Sequence, residues 1–244
     1  MPAADVVYLA DQAHVPYGDR SEAELLRLLA ANIALLEDEG VDAVVMGCNT
    51  SCAVAAKHGW PSARVPILDL IAAAAGAVAA SGATRIGVLA TAATARSGAY
   101  GDAIRRAVPG AAVQEVAAPK LVPLVERGLR GGAEVRAAVA ESCAAFAHPL
   151  DALVLACTHY PLLDAPIGET FGAGVLRIDP ALAQAERAIA VAPPDLRDAG
   201  SKRGGVRYLT TGPLAPFRAA LREIVGELGS RDAVAALAPA LRAT

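Results

Sequence analysis

The sequence predicts an α/β protein of two similar lobes, each built mainly on a parallel sheet and related by pseudo-two-fold symmetry, with a cleft between them. Three observations lead there. Short β-branched runs alternate with longer alanine-rich stretches along the whole chain, the rhythm of strand–helix–strand units whose crossovers make neighbouring strands parallel. A nine-residue segment of the first half recurs in the second. And 244 residues, 55% hydrophobic and 19% charged, are enough to bury one large or two small cores and too apolar for a disordered chain.

The elements follow in order. Residues 5–10 read as a strand. Residues 20–39 read as a helix, with Ser21 as N-cap, Glu24 at the capping-box position, an apolar face of Leu25, Leu28, Leu29, Leu35 and Leu36, and Gly40 as its stop. Residues 42–46 form a strand that runs into Gly47-Cys48-Asn49-Thr50, and a helix continues to about residue 58. A short strand at 64–68 and a helix at 71–80 close the first half. Strands at 86–89 and 112–116 flank a helix at 97–107, and helices follow at 123–129 and 133–147. The strand at 151–155 runs into Ala156-Cys157-Thr158-His159, before a strand at 175–178 and a helix at 181–190. Residues 193–205, rich in Pro, Gly and charge, read as a loop; a strand at 206–210 and a helix at 213–227 end the pattern.

The repeat is the informative feature. Asp42-Ala43-Val44-Val45-Met46-Gly47-Cys48-Asn49-Thr50 aligns without gaps on Asp151-Ala152-Leu153-Val154-Leu155-Ala156-Cys157-Thr158-His159, and places a Cys at the same register in both copies. Each Cys then closes a parallel strand, at the carboxyl edge where open α/β sheets bind ligands. A helix N-terminus beside it would lower the thiol pKa and offer N–H groups to an anion. A two-fold axis between lobes would bring the thiols into one cleft from opposite sides. That geometry suits taking a proton from one face of a carbon and returning one to the other.

Composition excludes several partners. A net charge of −3 argues against a phosphate-binding surface, so nucleic acid is not expected. Four Cys rule out a disulfide scaffold and fit a reducing cytoplasm. The longest weakly polar stretch, 68–80, contains Asp69 and is too short for a membrane span, and no targeting signal is visible. There is no G-x-G-x-x-G after a strand and no G-x-x-x-x-G-K-[ST], so no dinucleotide or nucleoside triphosphate is expected. Cys48, Cys52, Cys157 and His159 lack chelating spacing, so no metal is expected either. Cys52 and Cys143 read as packing residues, and His14, His58 and His148 as solvated.

Five segments carry a family resemblance. They are Asp11 with Val15-Pro16-Tyr17-Gly18, then Gly47-Cys48-Asn49-Thr50, then Ala90-Thr91-Ala92-Ala93-Thr94 running into Ser97-Gly98-Ala99-Tyr100, then residues 121–128 (LVPLVERG), then residues 155–163 (LACTHYPLL). In this order and spacing they resemble the glutamate racemases of the cofactor-independent aspartate/glutamate racemase superfamily, over nearly the whole chain. The resemblance implies a two-thiol racemase without cofactor. One Cys takes the α-proton of glutamate as thiolate, the other delivers a proton to the opposite face, and the roles reverse for the other enantiomer. It assigns Cys48 and Cys157 as the pair, His159 as the acid/base group assisting Cys157, and Glu126 near His159. Pro16, Tyr17, Gly18, Asn49, Thr50, Thr91, Thr94 and Thr158 would hold the substrate. It further implies D-glutamate supply to the bacterial cell wall, a small-molecule partner, and the homodimers common in the family. The lobes would be residues 1–70 with 180–244, carrying Cys48, and 71–179, carrying Cys157.

Two departures stand out. The family's D-S-G-x-G-G strand, expected before 5–10, has no match; its Asp assists the first Cys and its Ser contacts substrate. Without it a sheet edge is exposed and Cys48 lacks its expected helper, for Asp5 and Asp11 do not sit in that context. Ala90 replaces the Gly before Thr91. Two other readings stay open: a non-catalytic relative that binds a small dicarboxylate or a protein, and a racemase of another substrate such as aspartate or a hydantoin.

Overall fold

The computed structural model describes residues 3–147, 149–197 and 203–237. β1 (Val6–Ala10) leads through two 3-10 turns, Gln12–His14 and Tyr17–Asp19, into α1 (Glu22–Asp38). The Ser21 hydroxyl caps α1 by accepting from the Glu24 N–H, and Leu25, Leu28, Leu29 and Ile33 form its buried face. β2 (Val44–Val45) gives way to α2 (Asn49–His58), and β3 (Ile67–Leu68) to α3 (Leu70–Ser81), which Asp69 caps through the Ile71 N–H. β4 (Arg85–Ala90) is followed by α4 (Ala92–Ser97) and α5 (Ala99–Ala107). Gly98 between them has φ 68°, a left-handed conformation that ends one helix and starts the next. β5 (Ala112–Ala117), α6 (Leu121–Glu126), α7 (Ala133–Cys143), β6 (Ala152–Ala156), α8 (Asp164–Phe171) and β7 (Leu176–Ile178) complete the middle of the chain. α9 (Pro180–Val191), α10 (Pro194–Arg197), β8 (Val206–Thr210), α11 (Leu214–Ile224) and β9 (Ala233–Ala236) follow.

β4 to β7 form one four-stranded parallel sheet in the order β5-β4-β6-β7. Both faces of its central pair are covered, so every residue of β6 and all of β4 after Arg85 are buried. Side chains alternate between two cores. Ile86, Val88, Ala152 and Val154 pack with Tyr100, Ile104 and Val78 on one side. Leu89, Leu153 and Leu155 pack with Leu121, Tyr160 and Ile167 on the other.

The remaining strands are parallel too, but they are split into a three-stranded sheet, β1-β8-β9, and a two-stranded one, β2-β3. β1 and β2 both line the space between these sheets. Among the described residues no strand joins the two, and Val6, Tyr8 and Val45 are each about half exposed. Two strands come out shorter than their sequence patterns, 42–46 as Val44–Val45 and 64–68 as Ile67–Leu68, and they pair only with each other, over two residues. β9 was hidden by its alanine content, which carries no β preference. Pairing with β8 makes it a strand, and the Leu237 N–H bonds the Thr210 carbonyl just beyond it.

One clamp holds the carboxyl ends of the four-stranded sheet. The buried Tyr160 hydroxyl lies 3.1 Å from the Ala90 carbonyl, at the end of β4, and 3.0 Å from the Ala118 carbonyl, just past β5. Tyr160→Phe removes this donor while the Ala118 N–H still bonds the Ala90 carbonyl and the Leu121 N–H the Ala118 carbonyl, and is expected to destabilise the fold by about 0.5–1.5 kcal/mol. Urea unfolding of both proteins measures this; equal midpoints would show that the clamp carries no stability.

Candidate functional site

A cavity of about 2270 Å³ runs between β1 and β2 and extends to the strand ends that carry Cys48 and Cys157, where it forms a cleft. Cys48, three residues beyond β2, is the N-cap of α2 with an extended backbone; its thiol makes no capping bond and it is half-buried. Cys157, directly after β6, is 6% exposed. Both line the cleft, and a charge on Cys48 reaches Cys157. The two strand ends nevertheless differ. A 3-10 turn, Tyr160–Leu163, follows Cys157 instead of an α-helix N-terminus: Pro161 sits in its first turn, and the Tyr160 N–H turns back to the Cys157 carbonyl.

His159 connects Cys157 to Glu126. The Cys157 Sγ lies 3.7 Å from His159 Nδ1, and His159 Nε2 lies 2.6 Å from Glu126 Oε1 at the end of α6. The Cys157 thiol is pushed up to about 12, chiefly by burial and also by the charges of Cys48 and Glu126, against a hydrogen bond from the His159 backbone N–H that pulls it down. Cys157 is therefore a neutral thiol at physiological pH. Thr158 also lines the cleft beside it.

Hydroxyls cluster on the Cys48 side. Thr50 Oγ1 is 3.2 Å from Thr91 Oγ1 and 3.3 Å from Thr94 Oγ1, and Thr91 is 3.0 Å from Thr94. Thr91 caps α4 through the Thr94 N–H, and with Thr50 and Asn49 it lines the cleft. Thr94 does not: it is fully buried behind the other two and braces them. Pro16, Tyr17 and Gly18 line the cleft beside these threonines. A Cβ on Gly18 would sit 3.2 Å from Thr91 Cβ, so the absence of a side chain lets this turn close on the threonines.

Several residues that position this wall were not foreseen. The Asp11 carboxylate accepts from the Tyr17 hydroxyl at 2.5 Å and the Thr211 hydroxyl at 2.7 Å, and lies 2.7 Å from His14 Nδ1. Burial works against its charge, but these bonds hold the Asp11 carboxyl below its ordinary value. Burial, Asp11 and the charge of Cys48 push the Tyr17 hydroxyl well up, so it stays a donor. His14, expected to be solvated, is instead held on Asp11, because the 3-10 turn brings the two residues together. Thr211 lies too far along the chain for spacing to reveal it. Gln184 of α9 donates to the Met46 and Leu68 carbonyls, which fixes the ends of β2 and β3 next to Cys48. The Tyr100 hydroxyl donates to Asn49 Oδ1.

Cys52 and Cys143 are buried, and His58 pairs with Glu22 at the surface. His148 lies outside the described residues. Among the described residues no three His, Cys, Asp or Glu side chains come together in a way that could hold a metal. Nor is any of their helices long and apolar enough to cross a membrane.

Two parallel-sheet α/β units around a cleft with a thiol at a strand end on either side describe a known class of isomerase, and comparison with known proteins agrees. Residues 4–188 match the model of the Asp/Glu/Hydantoin racemase family, and the chain belongs to that family. A glutamate racemase of Gloeobacter violaceus is 43% identical over 198 residues, 81% of this chain and 74% of its own length. The crystal structure of glutamate racemase from Francisella tularensis in complex with D-glutamate superposes with a TM-score of 0.86 at 26% identity, covering 97% of this chain and 88% of that one. The Thermus thermophilus glutamate racemase in complex with β-chloro-D-alanine gives a TM-score of 0.80 at 32% identity, covering 99% and 90%.

The thiols should differ in reactivity. Iodoacetamide at neutral pH is expected to label Cys48 before Cys157, Cys52 and Cys143, which are all buried. The Cys157 rate should keep rising about tenfold per pH unit through pH 10, whereas an ordinary thiol levels off near ~8.5. Peptide mapping by mass spectrometry reads both. Equal labelling of Cys48 and Cys157, or a plateau for Cys157 near pH 9, would contradict the burial described here.

Proposed function

We propose that this racemase interconverts L- and D-glutamate without a cofactor, with Cys48 and Cys157 as proton carriers on opposite faces of the substrate Cα. The observation that carries this reading is that two thiols of unlike environment line one cleft, one half-buried and one held as a neutral thiol. The Cys48 thiolate takes the Cα proton and becomes a thiol. The Cys157 thiol gives its proton to the other face and becomes a thiolate. No electron is gained or lost, and the stereocentre is inverted. The enantiomer of opposite hand runs the same steps in reverse. His159, oriented by Glu126, accepts or returns the Cys157 proton between turnovers.

The Cα proton is very weakly acidic, so the site must disperse charge as it develops on the α-carboxylate. Asn49, Thr50, Thr91 and Thr158, together with the N–H groups that open α2, supply donors for this. Pro16, Tyr17 and Gly18 hold the substrate from the turn packed beside these threonines, and Thr94 holds the threonine cluster in place. Glutamate is the substrate named for the similar proteins, and two carboxylates suit a cleft rich in such donors. In this reading residues 1–70 with 180–244 form the lobe of Cys48, and 71–179 the lobe of Cys157. The protein works in the cytoplasm, and its D-glutamate serves cell-wall synthesis.

Cys48→Ser and Cys157→Ser should each lower the racemisation rate by about 10²–10⁴-fold, the usual worth of a positioned acid or base. Circular dichroism of a glutamate solution follows the reaction directly. Full activity in both variants would rule out the two-thiol route.

A further inference from the structure

We infer that Tyr100 is a positioning residue for substrate binding: its buried hydroxyl fixes the Asn49 amide so that the NH₂ group faces the cleft and donates to a substrate carboxylate. This rests on the glutamate reading of the cleft and adds to it a residue that never touches the substrate.

Asn49 follows Cys48 as the first residue of α2, is 4% exposed, and lines the cleft. A side-chain amide has one accepting end and one donating end, so whatever engages the first leaves the second to face the other way. Tyr100, at the start of α5 and fully buried, donates its hydroxyl to Asn49 Oδ1 from the protein side. The NH₂ group is thereby left for the cleft. A flipped amide would turn its oxygen toward a carboxylate, where two acceptors repel each other.

The Tyr100 proton is secure. Burial, with the charges of Cys52, Asp69, Cys157 and Cys48 around it, drives its pKa well above that of an ordinary phenol. The hydroxyl therefore keeps its proton at neutral pH. Its ring packs in the same core as Ile86 and Ile104, so Tyr100→Phe removes the hydroxyl while leaving the packing. The bond also crosses from the helix after β4 to the helix after β2, and so ties substrate recognition to the arrangement of the two sheets.

The test is a mutant cycle read by calorimetric titration of glutamate. Tyr100→Phe and Asn49→Ala should each weaken binding about tenfold, the cost of losing one aligned hydrogen bond, and Y100F/N49A should bind no more weakly than N49A. In racemisation assays Y100F should raise KM about tenfold and leave kcat within about threefold. A purely structural role would instead lower the active fraction, cutting kcat at unchanged KM. Asn49→Asp supplies a second arm: it can still accept from Tyr100 but presents an anion to the cleft, and should abolish binding. Wild-type affinity in Y100F or N49D, or a double variant weakened by the product of the single effects, would overturn the inference. A wild-type chain that binds glutamate without racemising it contradicts the proposed function and leaves this test intact; one that binds no glutamate overturns both.

Discussion

Parallel strands discharge their chains at one edge of a sheet, and the site depends on that constraint. Cys157 directly follows β6 and Cys48 lies three residues beyond β2, so the two thiols reach the cleft through the backbone and not through long side chains. A short side chain on a strand end can be no better placed than the strand itself. The supports sit accordingly at the strand ends: Tyr160 on the carbonyls of Ala90 and Ala118, and Gln184 on those of Met46 and Leu68. The β4–β6 ladder runs in register to Ala90 and Ala156, one residue short of Cys157.

Sequence similarity between the two Cys segments does not extend to their surroundings. Cys157 is sealed in the wall, bonded to its own turn and backed by His159 and Glu126. Cys48 is more open and faces Tyr17, which is anchored on Asp11. An enantiomer pair is symmetric about Cα, but the groups that serve its two faces here are not. The first sheet contributes to this difference, for it is divided between β1 and β2 beside Cys48.

Much of this was legible in the residues. Strand–helix alternation predicted the parallel sheets, and the recurrence of a Cys at one register predicted two thiols at strand ends. The five matching segments brought Glu126 and His159 together, although they lie on different elements. What escaped was set by contacts distant in sequence. Thr211 meets Asp11 only because β8 lies beside β1. Tyr100 stood within a matched segment, yet nothing in its spacing pointed to Asn49. Thr94 shows the converse: burial and its bonds to Thr50 and Thr91 claim a residue that the motif assigned to the cleft wall. The helix expected across 97–107 starts at Ala99, because Gly98, in a backbone that other residues avoid, separates it from the unforeseen α4 at Ala92–Ser97.

Isotope labelling addresses the account at its centre. With L-glutamate in D₂O, two carriers on opposite faces should give D-glutamate deuterated at Cα, while unreacted L-glutamate keeps its hydrogen at early conversion. Proton NMR of the Cα position, after separation of the enantiomers, reads both pools. D-glutamate that retained the original hydrogen, or equal early labelling of both enantiomers, would mean that a single group serves both faces.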